Sequence, residues 1–244
     1  MTQPPAPRGV LFVVTTAHFT WAATNAARSI ARHNPDLPVG IFTDQTEVDP
    51  IFAFHGLITP PGGRRKPEYI VKTPWEQTLY LDSDVRITGP LDDLFRVLER
   101  YDLAGAQVQY RQYRGRNKIW RMVMPLAFPQ INCGMLLFNR VPSVLKLFAD
   151  WRQGMIDGGF NREQVPFRET LWLSDVRFTT LGPEYNTRSL SHGFWPTKVP
   201  QPLILHLKPL HSKWRLRRFL IHIQMGPVRF RLWLNKLLGI STAS

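Results

Sequence analysis

Two carboxylates stand two residues apart where an apolar run ends, in the sequence Leu79-Tyr80-Leu81-Asp82-Ser83-Asp84. Side chains at positions i and i+2 of a strand point to the same side, so Asp82 and Asp84 can meet one hard cation, Mg²⁺ or Mn²⁺. Such a cation would neutralise a diphosphate and stabilise it as a leaving group. Aspartates at strand ends also cap turns, and this short pattern alone leaves both roles open.

The elements around this pair alternate in type along the chain. Apolar, β-branched runs predict strands over residues 9–16, 38–44, 78–82, 102–107, 131–138, 177–181 and 203–207. The segments between them predict helices over residues 19–33, 91–100, 142–152 and 162–173. Strands that alternate with helices are typical of an α/β protein with a parallel sheet. In such a sheet ligands bind beyond the carboxyl ends of the strands, which is where Asp82 and Asp84 fall.

The composition fits one globular domain. A chain of 244 residues with a hydrophobic share of 43% can bury a sizeable core. The single cysteine, Cys133, excludes an internal disulfide framework and suits a reducing compartment. The polar start at residues 1–7 does not resemble a signal peptide, and no run approaches the roughly 20 apolar residues of a membrane helix. We therefore expect a cytoplasmic protein, either soluble or peripheral on the inner face of the membrane.

The net charge of +13 lies mostly near the end of the chain. No acidic residue follows Glu184, whereas ten lysines and arginines do. The net charge of the preceding part of the chain is close to neutral. This argues against a nucleic-acid partner, because domains that bind nucleic acids are usually basic. We expect a flexible N-terminus at residues 1–8, one domain at residues 9–210 and a basic tail at residues 211–244.

Five segments resemble, in order, the motifs of GT-A-fold glycosyltransferases. They are residues 12–16 (FVVTT), 41–44 (IFTD), 73–84 (TPWEQTLYLDSD), 131–139 (INCGMLLFN) and 205–208 (LHLK). The sequence is most similar to glycosyltransferase family 8 and related nucleotide-diphospho-sugar transferases, over residue 9 to about residue 214. This resemblance implies a GT-A fold, which is a Rossmann-like, mostly parallel sheet flanked by helices. It also implies metal-dependent transfer of a sugar from a nucleotide-diphosphate donor, with UDP as the expected nucleotide.

The resemblance assigns roles to individual residues. The implied cation ligands are Asp82, Asp84 and His206. The implied donor contacts are Thr15, Thr16, Asp44, Lys72, Ser83, Asn132, Gly134, Lys208 and Lys213. Glu163 and Gln164 would lie near the reacting anomeric carbon, Glu163 as a base or electrostatic stabiliser and Gln164 as an orienting group. Each residue also has an ordinary structural interpretation, such as a favourable acidic residue in a helix first turn for Glu163.

The resemblance is incomplete at the end of the motif series. The late strand continues as Lys208-Pro209-Leu210-His211, whereas the family often has Gly-x-x-Lys-Pro-Trp, so the lysine that reaches the β-phosphate is either Lys208 or Lys213. Asn186 matches a family position to which we assign a structural role. Retaining and inverting enzymes share these motifs, so the stereochemistry of transfer stays open.

The segment after residue 212 carries two amphipathic patterns. Leu216, Phe219, Leu220 and Ile223 recur at helical spacing, and Phe230, Trp233, Leu234, Leu237 and Leu238 repeat it among basic residues. The pattern predicts helices over residues 213–238 that bind an anionic membrane surface, which suits a glycan or lipid-linked acceptor; the alternative is a helical pair packed on the domain. Residues 108–124, rich in arginine and aromatic residues, predict a long loop or lid. The alternative function is that of a basic nucleic-acid- or membrane-binding α/β protein without transferase activity.

Overall fold

The computed structural model describes residues 7–63, 65–108, 119–125, 127–160, 163–188 and 202–211. The strands in these ranges are β1 (Arg8–Val13), β2 (Val39–Thr43), β3 (Phe54–Leu57), β4 (Gln77–Leu81), β5 (Val85–Ile87), β6 (Leu103–Gln107), β7 (Ile131–Asn139), β8 (Phe178–Leu181) and β9 (Ile204–His206). The α-helices are α1 (Thr16–His33), α2 (Lys66–Tyr69), α3 (Asp92–Arg96), α4 (Pro142–Asp157) and α5 (Gln164–Trp172). Short 3₁₀ helices lie at Ile70–Lys72, Val97–Glu99, Pro183–Asn186 and Lys208–His211.

Seven strands form one sheet in the order β3-β2-β1-β4-β7-β6-β8. The first four run parallel to one another, β7 runs antiparallel to both of its neighbours, and β8 runs parallel to β6. A separate antiparallel pair joins β5 to β9 and sets His206 opposite Val85. The predicted α/β class with a mostly parallel sheet is therefore confirmed, and the small second sheet brings β9 beside the aspartate pair.

Apolar layers cover both faces of the sheet. In β1, Phe12 packs into the layer on one face and Leu11 into the layer on the other, as expected for a strand buried on both sides. The alanines of α1 pack on the Phe12 face, whereas Phe148 and Trp151 of α4 pack on the Leu11 face. Trp151 is fully buried, and its replacement by alanine would cost about 3–5 kcal/mol of stability. Helices α1 and α4 thus lie on opposite faces of the sheet.

Three elements were not predicted from the sequence, namely β3, α2 and β5. Strands β3 and β5 are too short to show a period, and α2 begins inside a segment whose glycines and prolines predict a loop. Pro67 is compatible with α2 because it lies in the first turn, where its missing N–H needs no partner.

Several predicted features fall outside the described residues. These are most of the N-terminal segment at residues 1–8, the centre of the 108–124 loop at residues 109–118, and the amphipathic tail from residue 212 onward. They therefore stay predictions. None of the described helices is long and apolar enough to cross a membrane.

Candidate metal centre and donor cavity

The three predicted cation ligands meet beyond the carboxyl end of β4. Asp82 follows β4 and Asp84 precedes β5, while His206 ends β9. One ligand atom of each residue lies within 4.8 Å of the others. The Nε2 atom of His206 is 3.0 Å from Oδ1 of Asp84 and 3.9 Å from Oδ2 of Asp82. Backbone bonds hold this geometry, since the Asp82 N–H donates to the Gly134 carbonyl and the Leu207 N–H to the Asp84 carbonyl.

The imidazole of His206 is oriented by Asn186. Its Nδ1 lies 2.7 Å from the Asn186 side-chain oxygen, which accepts only, so Nδ1 carries the proton in this network. In a neutral ring the lone pair of Nε2 then faces the Asp84 carboxylate. Two acceptors at 3.0 Å need a positive species between them, which is either a second proton on the ring or a bound cation. The donor set of two carboxylates and one imidazole thus fits a divalent cation.

The second oxygen of Asp82 is held by two buried groups. The Lys66 ammonium lies 2.8 Å from Asp82 Oδ1, and the Tyr80 hydroxyl donates to the same oxygen at 2.7 Å. Lys66 also contacts Glu163 Oε2 at 2.7 Å and donates to the Cys133 carbonyl at 3.0 Å. Because Oδ1 is engaged in this way, Oδ2 is the oxygen that faces His206.

These contacts decide the charge state of the buried groups. Burial alone would lower the pKa of Lys66, but the charges of Asp82 and Glu163 outweigh it and hold that pKa well above its ordinary value. Burial would raise the pKa of Asp84, but the hydrogen bond and charge of His206, with the charge of His211, lower it to about 2. Both carboxylates of the pair are therefore ionised near neutral pH, as cation binding requires.

Gly134 on β7 leaves the space that the cluster occupies. A Cβ at this position would lie 2.5 Å from Asp82 Oδ2 and would also collide with the His206 ring. The neighbouring Asn132 accepts the Gly134 N–H, while its own side-chain nitrogen is buried without a partner among the described residues. A buried N–H₂ without a partner is costly, so this atom is available for a bound ligand.

A cavity of about 290 Å³ lies against the cluster. Its described lining is Val13, Val14, Thr15, Phe19, Gly63, Arg65, Lys66, Tyr80, Asp82, Ser83, Asp84, Glu163 and His211. The cavity therefore joins the end of β1, the segment before α2, the aspartate pair and the start of α5. Position beyond the carboxyl ends of parallel strands is the usual place for ligands in this class of sheet.

Asp44 holds two backbone segments together beside this cavity. Its Oδ1 accepts the Thr16 N–H at 2.7 Å, and its Oδ2 accepts the Gly62 N–H at 3.2 Å. Burial would raise the pKa of Asp44, but the hydrogen bonds from Gln45, Thr16 and Gly62 outweigh it and lower this pKa. Thr16 has a φ of 75°, a left-handed conformation that is unfavourable for a β-branched residue. Asp44 thus holds a strained turn in place, a structural task that the sequence did not suggest.

The predicted site residues that the structure describes fall into three groups. Those that line the cavity are Thr15, Ser83, Asp82, Asp84 and Glu163. The second group does not line the cavity, but its members contact residues of the first group or residues next to them. They are Thr16, Asp44, Asn132, Gly134 and His206. Lys72, Gln164 and Lys208 are not part of the described lining, and Lys72 instead lies 3.9 Å from the Tyr69 ring centre. Lys213 lies outside the described residues, and the functional roles of all these residues stay predictions.

Sequence reasoning missed Lys66, Tyr80 and His211. Tyr80 could have been found, because it stands two residues before Asp82 and so shares its side of the strand. Nε2 of His211 lies 3.9 Å from Asp84 Oδ1 and 3.0 Å from the Ser83 hydroxyl. This histidine was missed because the family resemblance points to lysines in this part of the chain. Lys66 carried no local signal, because its position depends on contacts with Cys133 and Glu163, which are distant in sequence.

The protein has the GT-A fold of glycosyltransferases, a mostly parallel sheet flanked by helices, which the solved structures described next share. No protein-family model and no curated protein matches the sequence. Solved structures do match. The galactosyltransferase LgtC, solved in complex with donor and acceptor sugar analogs, aligns with a TM-score of 0.63 and 14% identity over 87% of this chain and 94% of that chain.

Two further glycosyltransferases share the fold. GlyE of Streptococcus pneumoniae TIGR4 aligns with a TM-score of 0.60 and 20% identity over 98% of this chain and 66% of that chain. The bifunctional glycosyltransferase WbbM aligns with a TM-score of 0.54 and 13% identity over 89% of this chain and 52% of that chain. At such identities the likeness shows a common fold, and the chemistry must be argued from the residues of this chain.

Proposed function

We propose that this chain is a metal-dependent glycosyltransferase that transfers a sugar from a nucleotide-diphosphate donor, with UDP as the expected nucleotide, to a glycan or lipid-linked acceptor. One observation carries the proposal, which is the convergence of Asp82, Asp84 and His206 beside a cavity that both aspartates line. The solved galactosyltransferase with donor and acceptor sugar analogs supports it through the shared fold.

Transfer of this kind depends on stabilising the departing diphosphate. A bound Mn²⁺ or Mg²⁺ would supply that charge neutralisation. Asp82 Oδ2, Asp84 Oδ1 and His206 Nε2 are the atoms of this chain that would hold it, and Asn186 keeps the imidazole in the tautomer that can bind a cation. Removing one such preorganised group typically costs about 10²–10³ in rate.

Other residues of the chain would bind and orient the donor. We assign contact with the transferred sugar to Glu163, which pairs with Lys66 and lines the cavity. Asn132 offers a buried N–H₂ to a sugar hydroxyl, and the turn held by Asp44 presents Thr15 to the nucleotide. Together they would fix the geometry of the donor before the acceptor arrives.

The test is release of nucleoside diphosphate from a panel of nucleotide sugars by the full chain, with Mn²⁺, with Mg²⁺ and with chelator. We expect metal-stimulated hydrolysis of one donor class and a fall of about 10²–10³ for Asp84→Asn. Asp150→Asn is the matched control, because Asp150 is a carboxylate of α4 that pairs with Lys146 on the surface. Turnover that is unchanged both by chelator and by Asp84→Asn would refute the proposal, provided thermal unfolding shows that the variant is folded.

A further inference from the structure

One oxygen of the Asp82 carboxylate is fully engaged inside the protein. An ionised carboxylate oxygen accepts hydrogen bonds and has two lone pairs with which to do so. Oδ1 of Asp82 accepts the hydroxyl of Tyr80 at 2.7 Å and contacts the ammonium of Lys66 at 2.8 Å. These two short contacts use both lone pairs of Oδ1. Asp82 therefore has Oδ2 left to offer to a cation.

The two groups that hold Oδ1 are themselves fixed. Each of the three ammonium protons of Lys66 has an acceptor, and its side chain is only 8% exposed. These acceptors are Oδ1 of Asp82, Oε2 of Glu163 and the carbonyl of Cys133. The side chain of Tyr80 is buried, and its ring centre lies 5.0 Å from the same ammonium. Tyr80 thus contacts both the carboxylate and the buried cation that shares it.

The other oxygen of Asp82 lies on the side of the cation cluster. Oδ2 is 3.9 Å from Nε2 of His206, which is itself 3.0 Å from Oδ1 of Asp84. Gly134 leaves room beside Oδ2, because a Cβ at that position would lie 2.5 Å from this oxygen. Asp82 therefore presents one oxygen to the cluster, in a direction that its other oxygen fixes.

The number of oxygens that a site offers discriminates between divalent ions of different size. Ca²⁺ takes about six to eight oxygen ligands in a flexible geometry, and carboxylates often bind it through both oxygens. The smaller Mg²⁺ and Mn²⁺ ions take an octahedral set of ligands and need no bidentate carboxylate. A carboxylate that is restricted to one oxygen therefore disfavours Ca²⁺ relative to the smaller ions.

We propose that Tyr80 is a positioning residue that, together with Lys66, restricts Asp82 to binding through one oxygen and so makes the cluster select Mn²⁺ over Ca²⁺. This inference rests on the metal centre of the proposed function and adds the physical basis of its ion selectivity. Tyr80 acts through Asp82, because its hydroxyl hydrogen is donated to that carboxylate. Loss of the hydroxyl would free one lone pair of Oδ1, so that both oxygens of Asp82 could bind a larger ion.

The test is calorimetric titration of the full chain with Mn²⁺ and, separately, with Ca²⁺. The unaltered protein should bind Mn²⁺ at least about tenfold more tightly than Ca²⁺. Tyr80→Phe should lower the Mn²⁺ affinity about tenfold, as is typical for loss of an outer partner of a ligand, whereas its Ca²⁺ affinity should be unchanged or higher. The ratio of the Ca²⁺ to the Mn²⁺ dissociation constant should therefore fall about tenfold or more in this variant.

Tyr69→Phe is the matched control. Tyr69 is also a buried tyrosine, but its hydroxyl bonds the backbone of Thr59 instead of a carboxylate of the cluster. The same substitution at this position should leave the ratio of the two dissociation constants unchanged. A general loosening of the fold would weaken the binding of both ions alike, so the ratio separates a positioning role from a structural one.

Two results would overturn the inference. They are equal affinities of the unaltered protein for Mn²⁺ and Ca²⁺, and a ratio in Tyr80→Phe that equals the ratio in the unaltered protein. The first result needs no variant, so it decides the matter even where Tyr80→Phe does not fold. Absence of Mn²⁺ binding to the unaltered protein would refute the metal centre of the proposed function as well. An unchanged ratio with tight Mn²⁺ binding would overturn the inference about Tyr80 alone.

Discussion

The Lys66 ammonium lies 2.8 Å from one oxygen of Asp82, on the side of the carboxylate turned away from His206. The same nitrogen contacts Glu163 at 2.7 Å, so one buried cation balances two carboxylates from distant parts of the chain. Lys66 thereby fixes the orientation of a metal ligand and the position of the residue expected near the sugar. Its importance follows from its place between these groups, because it does not itself complete the cation cluster.

Replacing Lys66 by methionine should damage both activity and stability. Two carboxylates would lose their buried partner, and we expect a loss of about 2–3 kcal/mol, below the usual cost because Asp82 is 33% exposed. Turnover should fall about 100-fold or more, as for loss of a preorganised charge. Steady-state kinetics and thermal unfolding measure the two effects. Lys146→Met is the comparison, because Lys146 is an exposed lysine of α4 that pairs with Asp150. An equal loss of turnover in both variants would contradict the role that we assign to Lys66.

Replacing Gly134 by alanine should selectively impair cation binding. The new methyl group would lie 2.5 Å from Asp82 Oδ2, so the carboxylate or the imidazole must move. Gly105→Ala is the matched control, because its methyl group would meet Ile131 at 2.6 Å in the same sheet without touching the cluster. Both variants should lose about 1–3 kcal/mol of stability, but only Gly134→Ala should bind Mn²⁺ at least about tenfold more weakly in calorimetry. Equal Mn²⁺ affinities would show that the space at Gly134 is not needed.

The sequence predicts those parts of the site that depend on local pattern. Asp82 and Asp84 follow an apolar strand at a spacing of two, so their convergence on one side needs no knowledge of distant contacts. The sheet class follows in the same way from the alternation of strands and helices. The family resemblance adds His206, which lies on β9, more than a hundred residues after the aspartate pair in the sequence.

The parts that could not be predicted depend on packing between distant segments. Lys66 lies in a segment rich in glycine and proline, and only the docking of α2 against β7 and the start of α5 turns it into a buried partner of Asp82 and Glu163. Asp44 is predicted to contact the donor, and that role stays a prediction. Its backbone contacts could not be predicted, because its two oxygens accept N–H groups from Thr16 and Gly62. These hydrogen bonds join three separate segments of the chain, and no periodic pattern in the sequence predicts them.

The pair Asp102–Arg177 should make stability depend on acid pH. The hydrogen bonds of Arg177 hold the pKa of Asp102 below its ordinary value of 3.8, although burial opposes this. A carboxylate with a lower pKa in the folded protein stabilises it above the unfolded pKa, and this contribution is lost as the pH falls through the folded pKa. Asp102→Asn should therefore be less stable than the unaltered protein near neutral pH, with the gap closing below about pH 4.

Denaturant unfolding at a series of pH values measures this gap. Asp93→Asn is the control, because Asp93 pairs with Arg96 at 3.3 Å with both side chains largely exposed, and such surface pairs contribute little. A gap for Asp102→Asn that persists unchanged below pH 3 would mean that the ionised carboxylate does not stabilise the junction of β6 and β8.

Replacing Asn186 by leucine should weaken cation binding without removing a ligand. The Asn186 oxygen accepts a hydrogen bond from the Nδ1–H of His206 at 2.7 Å, and without this acceptor the neutral ring is free to carry its proton on Nε2. Loss of such an outer partner typically lowers metal affinity by about 10–100-fold. Asn186→Asp keeps an acceptor oxygen at the same place and should retain most of the affinity. Calorimetric titration with Mn²⁺ distinguishes the two variants, and equal affinities would mean that the orientation of His206 comes from its strand alone.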